Sequence, residues 1–166
     1  MMNTEVENRA AGIKLLILDV DGVFTDGRVY YGSRGEELKA FHVRDGSALV
    51  RGQQAGLKVA LVSGRKSGTV ARRARELGIV DIYQGIIDKV PVMEELMARH
   101  SFRPEEIAYA GDDVADLPVL RRAGFAIAVA DAHPLVLKVA HYRTLNRGGA
   151  GAVMEMVELI LNARKT

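Results

Sequence analysis

The chain contains no cysteine. Disulfides and thiolate metal sites are therefore excluded, and a reducing compartment, the cytoplasm, is the expected location. No apolar run approaches the ~20 residues of a membrane span. Residues 1–9 lack the basic start and apolar centre of a signal peptide and carry Glu5 and Glu7 instead. No membrane partner is expected. Internal repeats, low-complexity tracts and linkers are missing too, and 166 residues suffice for one domain with a full core but not for two ordinary ones. Arg65, Lys66, Arg72, Arg73 and Arg75 crowd one segment, yet no aromatic residues are interleaved among them for base stacking. They read as a solvated helix face or as contacts for a small anionic substrate, and no nucleic-acid partner is expected.

What is present is organised around residues 17–22, Ile-Leu-Asp-Val-Asp-Gly. The apolar run 15–18 is apolar at every position rather than at alternate ones, as in a buried parallel strand. It ends in Asp19 and Asp21, followed by Gly22. Carboxylates at the carboxyl end of such a strand face the crevice where open α/β sheets bind ligands. Negative charges this close call for a cation between them. The same residues also suit an ordinary Asp-Gly turn. A calcium loop does not fit, because Val23 and Phe24 stand where an oxygen ligand and a turn glycine are needed.

Periodicity divides the rest into alternating strands and helices. Residues 1–12 read as a flexible leader and 13–166 as a single domain. Strands are expected near 14–20, 57–62, 82–87, 107–110, 125–129 and 142–143. Helices are expected from the N-cap Asp45 to Gln54, from Ser67 or Thr69 to Leu77, over 89–100 and 116–123, from His133-Pro134, and over 153–163. Between the first strand and the first of these helices, two β-prone runs flank Gly32-Ser33-Arg34-Gly35 and predict a hairpin within 23–43. Residues 147–151 read as a flexible Gly-rich loop. The alternation predicts an α/β fold with a doubly wound parallel sheet.

In such a sheet the strand ends converge. Asp19 and Asp21 close the first strand, Ser63 the second, and Asp112 and Asp113 the fourth, while Lys89 opens the helix after the third. Taken singly, Ser63, Asp112 and Asp116 are also adequate helix caps. A cation in a first helical turn opposes the helix dipole, so Lys89 suggests a nearby anion or plain solvent exposure.

Taken together, Asp19-Val20-Asp21-Gly22-Val23-Phe24-Thr25, Ser63-Gly64-Arg65, Lys89 and Gly111-Asp112-Asp113-Val114-Ala115-Asp116 resemble, in order, the signature motifs of the haloacid dehalogenase superfamily of phosphotransferases. The resemblance runs from about residue 13 to 163. It implies a Rossmann-like fold of that type. A dehalogenase would lack the acidic residue at Asp21, so phosphoryl chemistry is implied. By this resemblance Asp19 is the nucleophile that forms an aspartyl-phosphate. Asp21 is the general acid and base, and Ser63 and Lys89 hold and neutralise the phosphoryl group. Mg²⁺ is the implied cofactor, held by Asp19, the Asp21 carbonyl and Asp112. Asp113 and Asp116 would orient the metal's waters or Lys89.

Relatives usually carry a cap domain, but 22–63 holds only a hairpin and a helix, and 89–112 only a helix and a turn. The chain reads as capless. The segments 19–27, 41–46, 63–65 and 148–152 look like those of the 3-deoxy-D-manno-octulosonate 8-phosphate phosphatases of lipopolysaccharide synthesis. That likeness implies hydrolysis of a sugar phosphate and a homotetramer joined through hairpins. It makes Gly64, Arg65, Arg73 and Gly149 substrate-binding candidates, with the Gly-rich segment 148–151 reaching a neighbour's active site to gate it. The phosphatases of nonulosonate 9-phosphates are the alternative. A receiver-like phosphoacceptor is disfavoured, since no Asp ends the third strand in the required way. A non-catalytic scaffold is disfavoured because every expected catalytic residue is present.

Overall fold

The computed structural model describes residues 4–165. The elements in chain order are α1 (Thr4–Ala11), β1 (Leu15–Leu18), β2 (Tyr30–Tyr31), β3 (Glu37–Leu38), α2 (Val43–Gln54), β4 (Lys58–Ser63), α3 (Gly68–Glu76), β5 (Asp81–Gln84), α4 (Val90–His100), β6 (Ile107–Gly111), α5 (Leu117–Leu120), β7 (Phe125–Ala128), α6 (Pro134–Val139), β8 (Tyr142–Arg143) and α7 (Ala152–Ala163).

The uniformly apolar runs form the centre of a six-stranded sheet in the order β5-β4-β1-β6-β7-β8, with every pairing parallel. All of β1, β6 and β7 is buried. Successive strand residues point to opposite faces, so burial at every position means that both faces are covered. One helical group packs α2 and α1 on α7, and the other joins α4, α5 and α6. The chain winds outward from β1 through β4 and β5, then returns to β6 on β1's other side. The winding therefore reverses at β1, and the crevice beyond its carboxyl end is the ligand position favoured by this topology.

Three local expectations are corrected. The expected flexible leader is a helix over Thr4–Ala11, which buries Val6 and Ala10 against the core, while Arg9 donates to the Gly124 carbonyl at 2.7 Å; residues 1–3 lie outside the described ones. The helix expected to start at Asp45 starts at Val43, with His42 at the cap position. Asp45 instead lies inside α2, fully buried, and its carboxylate accepts from Met154 N–H at 2.8 Å and Gly151 N–H at 3.3 Å, capping α7 from across the fold. The helix expected over 116–123 is split into a tight turn over Val114–Asp116 and the short α5.

The hairpin is present but small. Each strand is two residues long, closed by Gly32 N–H on the Glu36 carbonyl at 2.9 Å. No cap domain is inserted on either side of α2 or between α4 and β6.

Candidate active site

Beyond β1 the backbone does not continue extended. Residues 20–24 form one wide turn closed by Thr25 N–H on the Val20 carbonyl at 3.0 Å. Buried Thr25 holds this turn from inside, its hydroxyl bonding to the Val20 carbonyl at 3.3 Å and accepting from Gly27 N–H at 3.2 Å. Gly22 adopts φ +96, and a Cβ there would lie 2.0 Å from Asp112 Oδ2, so only glycine allows the two motifs to approach.

At the strand ends a buried network assembles. Lys89 Nζ donates to Asp19 Oδ1 at 2.7 Å and to Asp116 Oδ1 at 2.6 Å, with the lysine only 6% exposed. Burial works against the ammonium, but the charges of Asp19 and Asp116 outweigh it and raise the Lys89 pKa. Asp116 is fully engaged: it also accepts from the Tyr109 hydroxyl at 2.6 Å and from the N–H groups of Asp112 and Asp113 at 3.1 and 3.3 Å. Asp116 thus orients Lys89, while exposed Asp113 caps Val114 N–H at 2.7 Å.

Asp19 and Asp112 are less well satisfied. Burial, then the charge of Asp116, pushes the Asp19 carboxyl up to about 6. Burial, then the charge of Asp19, pushes Asp112 up to about 8. Asp112 Oδ1 is buried with no hydrogen-bond donor facing it. Oxygens of Asp19, Asp112 and Asp116 lie within 4.8 Å of one another. Against these three carboxyl groups stands one ammonium, so ionising all three leaves two negative charges uncompensated. An orphaned oxygen and that charge deficit fit a hard divalent cation, and Asp19 and Asp112 are the carboxylates with coordination left to give.

Most expected residues line one crevice of about 420 Å³, among them Asp19, Asp21, Ser63, Gly64, Arg65 and Lys89. That volume lies within the ordinary range for small-molecule sites. Ser63 Oγ accepts from Arg65 N–H at 3.2 Å, which leaves its own proton free for a ligand oxygen. Beside Gly64 a Cβ would meet only the Ile86 carbonyl, at 3.7 Å, so the room there is open to a ligand. Arg65 reaches the Tyr31 hydroxyl at 2.8 Å and Glu37 at 3.6 Å.

Arg73 and Gly149 are placed elsewhere. The Arg73 guanidinium lies against Gly46 of α2 and pairs with Glu76 at 3.2 Å. Gly149, at φ +65, donates its N–H to the Val23 carbonyl at 3.1 Å, and a Cβ there would meet Asp26 N at 2.4 Å. Within one chain the loop 147–151 is thus a brace behind the Val20–Phe24 turn. It is pinned further by Gly148 N–H on Asp131 at 3.1 Å.

Thr25 was already part of the first motif, whereas Lys39 and Tyr109 belong to the site but carry no sequence signal of comparable strength. Tyr109 was the most detectable, since a hydroxyl inside an otherwise apolar strand needs a buried partner. Lys39, next to β3, has a fully buried side chain whose ammonium pairs with Asp21 Oδ1.

Comparison with known proteins gives the family. A family model of haloacid dehalogenase-like hydrolases matches residues 73–156. The 3-deoxy-D-manno-octulosonate 8-phosphate phosphatase of Yersinia pestis is 49% identical over 160 residues, covering 96% of this chain and 86% of that protein. Its crystal structure superposes with a TM-score of 0.95 over 97% of this chain and 87% of that one. The Moraxella catarrhalis enzyme, solved with a magnesium ion, a phosphate ion and a KDO molecule, is 42% identical with a TM-score of 0.96, covering 99% of this chain and 94% of that one. The chain belongs to the haloacid dehalogenase-like hydrolases, within the family of the 3-deoxy-D-manno-octulosonate 8-phosphate phosphatases.

Proposed function

We propose that the protein is a Mg²⁺-dependent phosphatase that hydrolyses 3-deoxy-D-manno-octulosonate 8-phosphate to the free keto-sugar acid and phosphate, in the cytoplasm, as a step of lipopolysaccharide precursor synthesis. The observation that carries this is the Asp19–Lys89–Asp116 network beside the unsatisfied Asp112, in a chain 49% identical to an enzyme of that activity.

Asp19 is held by Lys89 with one oxygen at the crevice and is the nucleophile. Its carboxylate attacks phosphorus, the bond from phosphorus to the sugar oxygen breaks, and Asp21 gives its proton to the departing alkoxide. Asp21 then takes a proton from water, which attacks the aspartyl-phosphate and releases inorganic phosphate. The free hydroxyl of Ser63 donates to a phosphoryl oxygen, and Lys89 offsets the charge that builds in the transition state. Mg²⁺, when bound by Asp19, Asp112 and the Asp21 carbonyl, supplies the positive charge that lets two anions meet. The open space at Gly64 and the exposed Arg65 suit the phosphate and the sugar carboxylate.

The test is release of phosphate from the 8-phosphate with Mg²⁺, set against a panel of keto-sugar phosphates that includes nonulosonate 9-phosphates. Turnover on the 8-phosphate that vanishes in Asp19→Asn is expected. Preference for a 9-phosphate would transfer the assignment to that substrate, and no release with the metal bound would overturn it.

A further inference from the structure

We infer that Lys39 is a positioning residue for Asp21, so that the hairpin completes the acid–base centre from within the same chain. The inference rests on the phosphatase reading and adds a residue to it. The Lys39 side chain is fully buried, and its ammonium lies on Asp21 Oδ1, while the Asp21 side chain keeps 21% of its surface open to the crevice. A buried ammonium is costly unless paired, so this contact fixes both partners. Oδ1 is occupied by Lys39, which leaves Oδ2 as the oxygen available to exchange a proton at the crevice.

The hairpin is anchored so that Lys39 cannot drift. Two residues earlier, Glu37 is bound at both its ends to the start of α3: its carboxylate takes the hydroxyl of the N-cap Ser67 and its carbonyl takes the Thr69 hydroxyl at 3.2 Å. The Lys39 charge also acts on Glu37. Arg65 ties the opposite strand through the Tyr31 hydroxyl at 2.8 Å. The short β2–β3 pair therefore joins the Ser63-Gly64-Arg65 motif to Asp21 across an otherwise open crevice. In a capless chain this gives the proton-transfer group a rigid support that solvent does not provide.

The leaving group separates this role from a structural one. An alkyl phosphate needs its departing oxygen protonated, whereas 4-nitrophenolate leaves without help. Lys39→Met keeps the apolar stem and removes the charge. With Mg²⁺ present, it is expected to lower the single-turnover rate of leaving-group release from 3-deoxy-D-manno-octulosonate 8-phosphate by about tenfold or more and from 4-nitrophenyl phosphate by less than about threefold, because general acid catalysis is worth about 10²–10⁴ and the later hydrolysis of the aspartyl-phosphate, which uses Asp21 for either ester, does not enter this rate. In an Asp21→Asn background the same substitution is expected to change neither rate further, since it acts through Asp21. Equal losses on both esters, or additive losses with Asp21→Asn, would overturn the inference. Should Lys39→Met fail to fold, Lys39→Gln, whose amide is neutral and ends one atom short of the lysine nitrogen, is held to the same ratio and the same cycle. A wild-type chain that hydrolyses neither ester overturns the phosphatase reading itself, and the role of Lys39 with it.

Discussion

Asp19 and Asp112 retain their protons to about pH 6 and about pH 8 because burial and mutual repulsion disfavour the carboxylates. Both folded values lie above the ordinary carboxylate range. Without an ion, the stability these groups allow is therefore greatest below that range and declines as pH rises through about 8. A divalent cation reverses the balance by displacing the protons. Mg²⁺ affinity is accordingly expected to rise from pH 6 to pH 8 by up to about tenfold per unit for each proton released. Calorimetry in buffers of different ionisation enthalpy would count close to one proton released near neutrality, and none well above pH 8. Asp112→Asn should weaken binding and flatten the dependence; an affinity indifferent to pH would contradict the assignment. At this scale the sequence was informative where residue type and strand end coincide, as at Asp19, Ser63, Lys89 and Asp112. It was silent on Lys39, which lies beyond a hairpin turn from Asp21 and is brought to it only by tertiary folding. Within one chain Arg73 pairs with Glu76 and Gly149 bonds to the Val23 carbonyl, packing that a motif position does not disclose, and the gating expected of 148–151 concerns a neighbour's site.

Elements were legible in proportion to how strongly burial imposes a period. The strands β1, β4, β6 and β7 are continuous apolar runs, and the sequence located them to within a residue or two. Thr4–Ala11 has only Val6 and Ala10 to bury among polar neighbours, a pattern too sparse to distinguish a docked helix from a leader. Asp45 is the instructive case. Followed by a helical pattern, it has the appearance of a local N-cap, yet it caps α7, more than a hundred residues away in sequence. Since α7 begins where the brace 147–151 ends, this carboxylate also fixes the loop behind the Val20–Phe24 turn. Asp45→Ala leaves the Met154 N–H without its acceptor and is expected to cost about 1–3 kcal/mol in chemical denaturation. Asp45→Asn, which retains one acceptor oxygen, should cost less. Because the brace loosens as well, kcat should fall in Asp45→Ala while the protein is still folded. A loss of stability with kcat unchanged would confine Asp45 to capping.

At the scale of the whole molecule, the surface that remains open is the outer side of the hairpin. Tyr30 and Leu38, paired directly across the ribbon, are 47% and 59% exposed, and Val43 just after it is 74% exposed, while Tyr31 shares the other face with Glu37. Such a ribbon is marginal alone, and an uncovered apolar edge invites pairing with another strand. The contacts described above secure the ribbon's inner side through Glu37 and Lys39, so the outer side is free to serve a second copy. We propose a homotetramer joined through the hairpins, which places a neighbouring copy near a crevice that has no cap domain of its own. Sedimentation equilibrium is expected to give four times the 18.1 kDa chain mass for the wild type. The pair Tyr30→Glu and Leu38→Glu, which spares Arg65, Glu37 and Lys39, is expected to give the single chain. If the crevice is closed by the neighbour, the dissociated chain should lose KM for the sugar phosphate more than kcat, because Asp19, Lys89 and Asp116 are all supplied in cis. An unchanged mass in the double variant would place the subunit contacts elsewhere. Dissociation with KM unchanged would show that the hairpin joins subunits without sheltering the site.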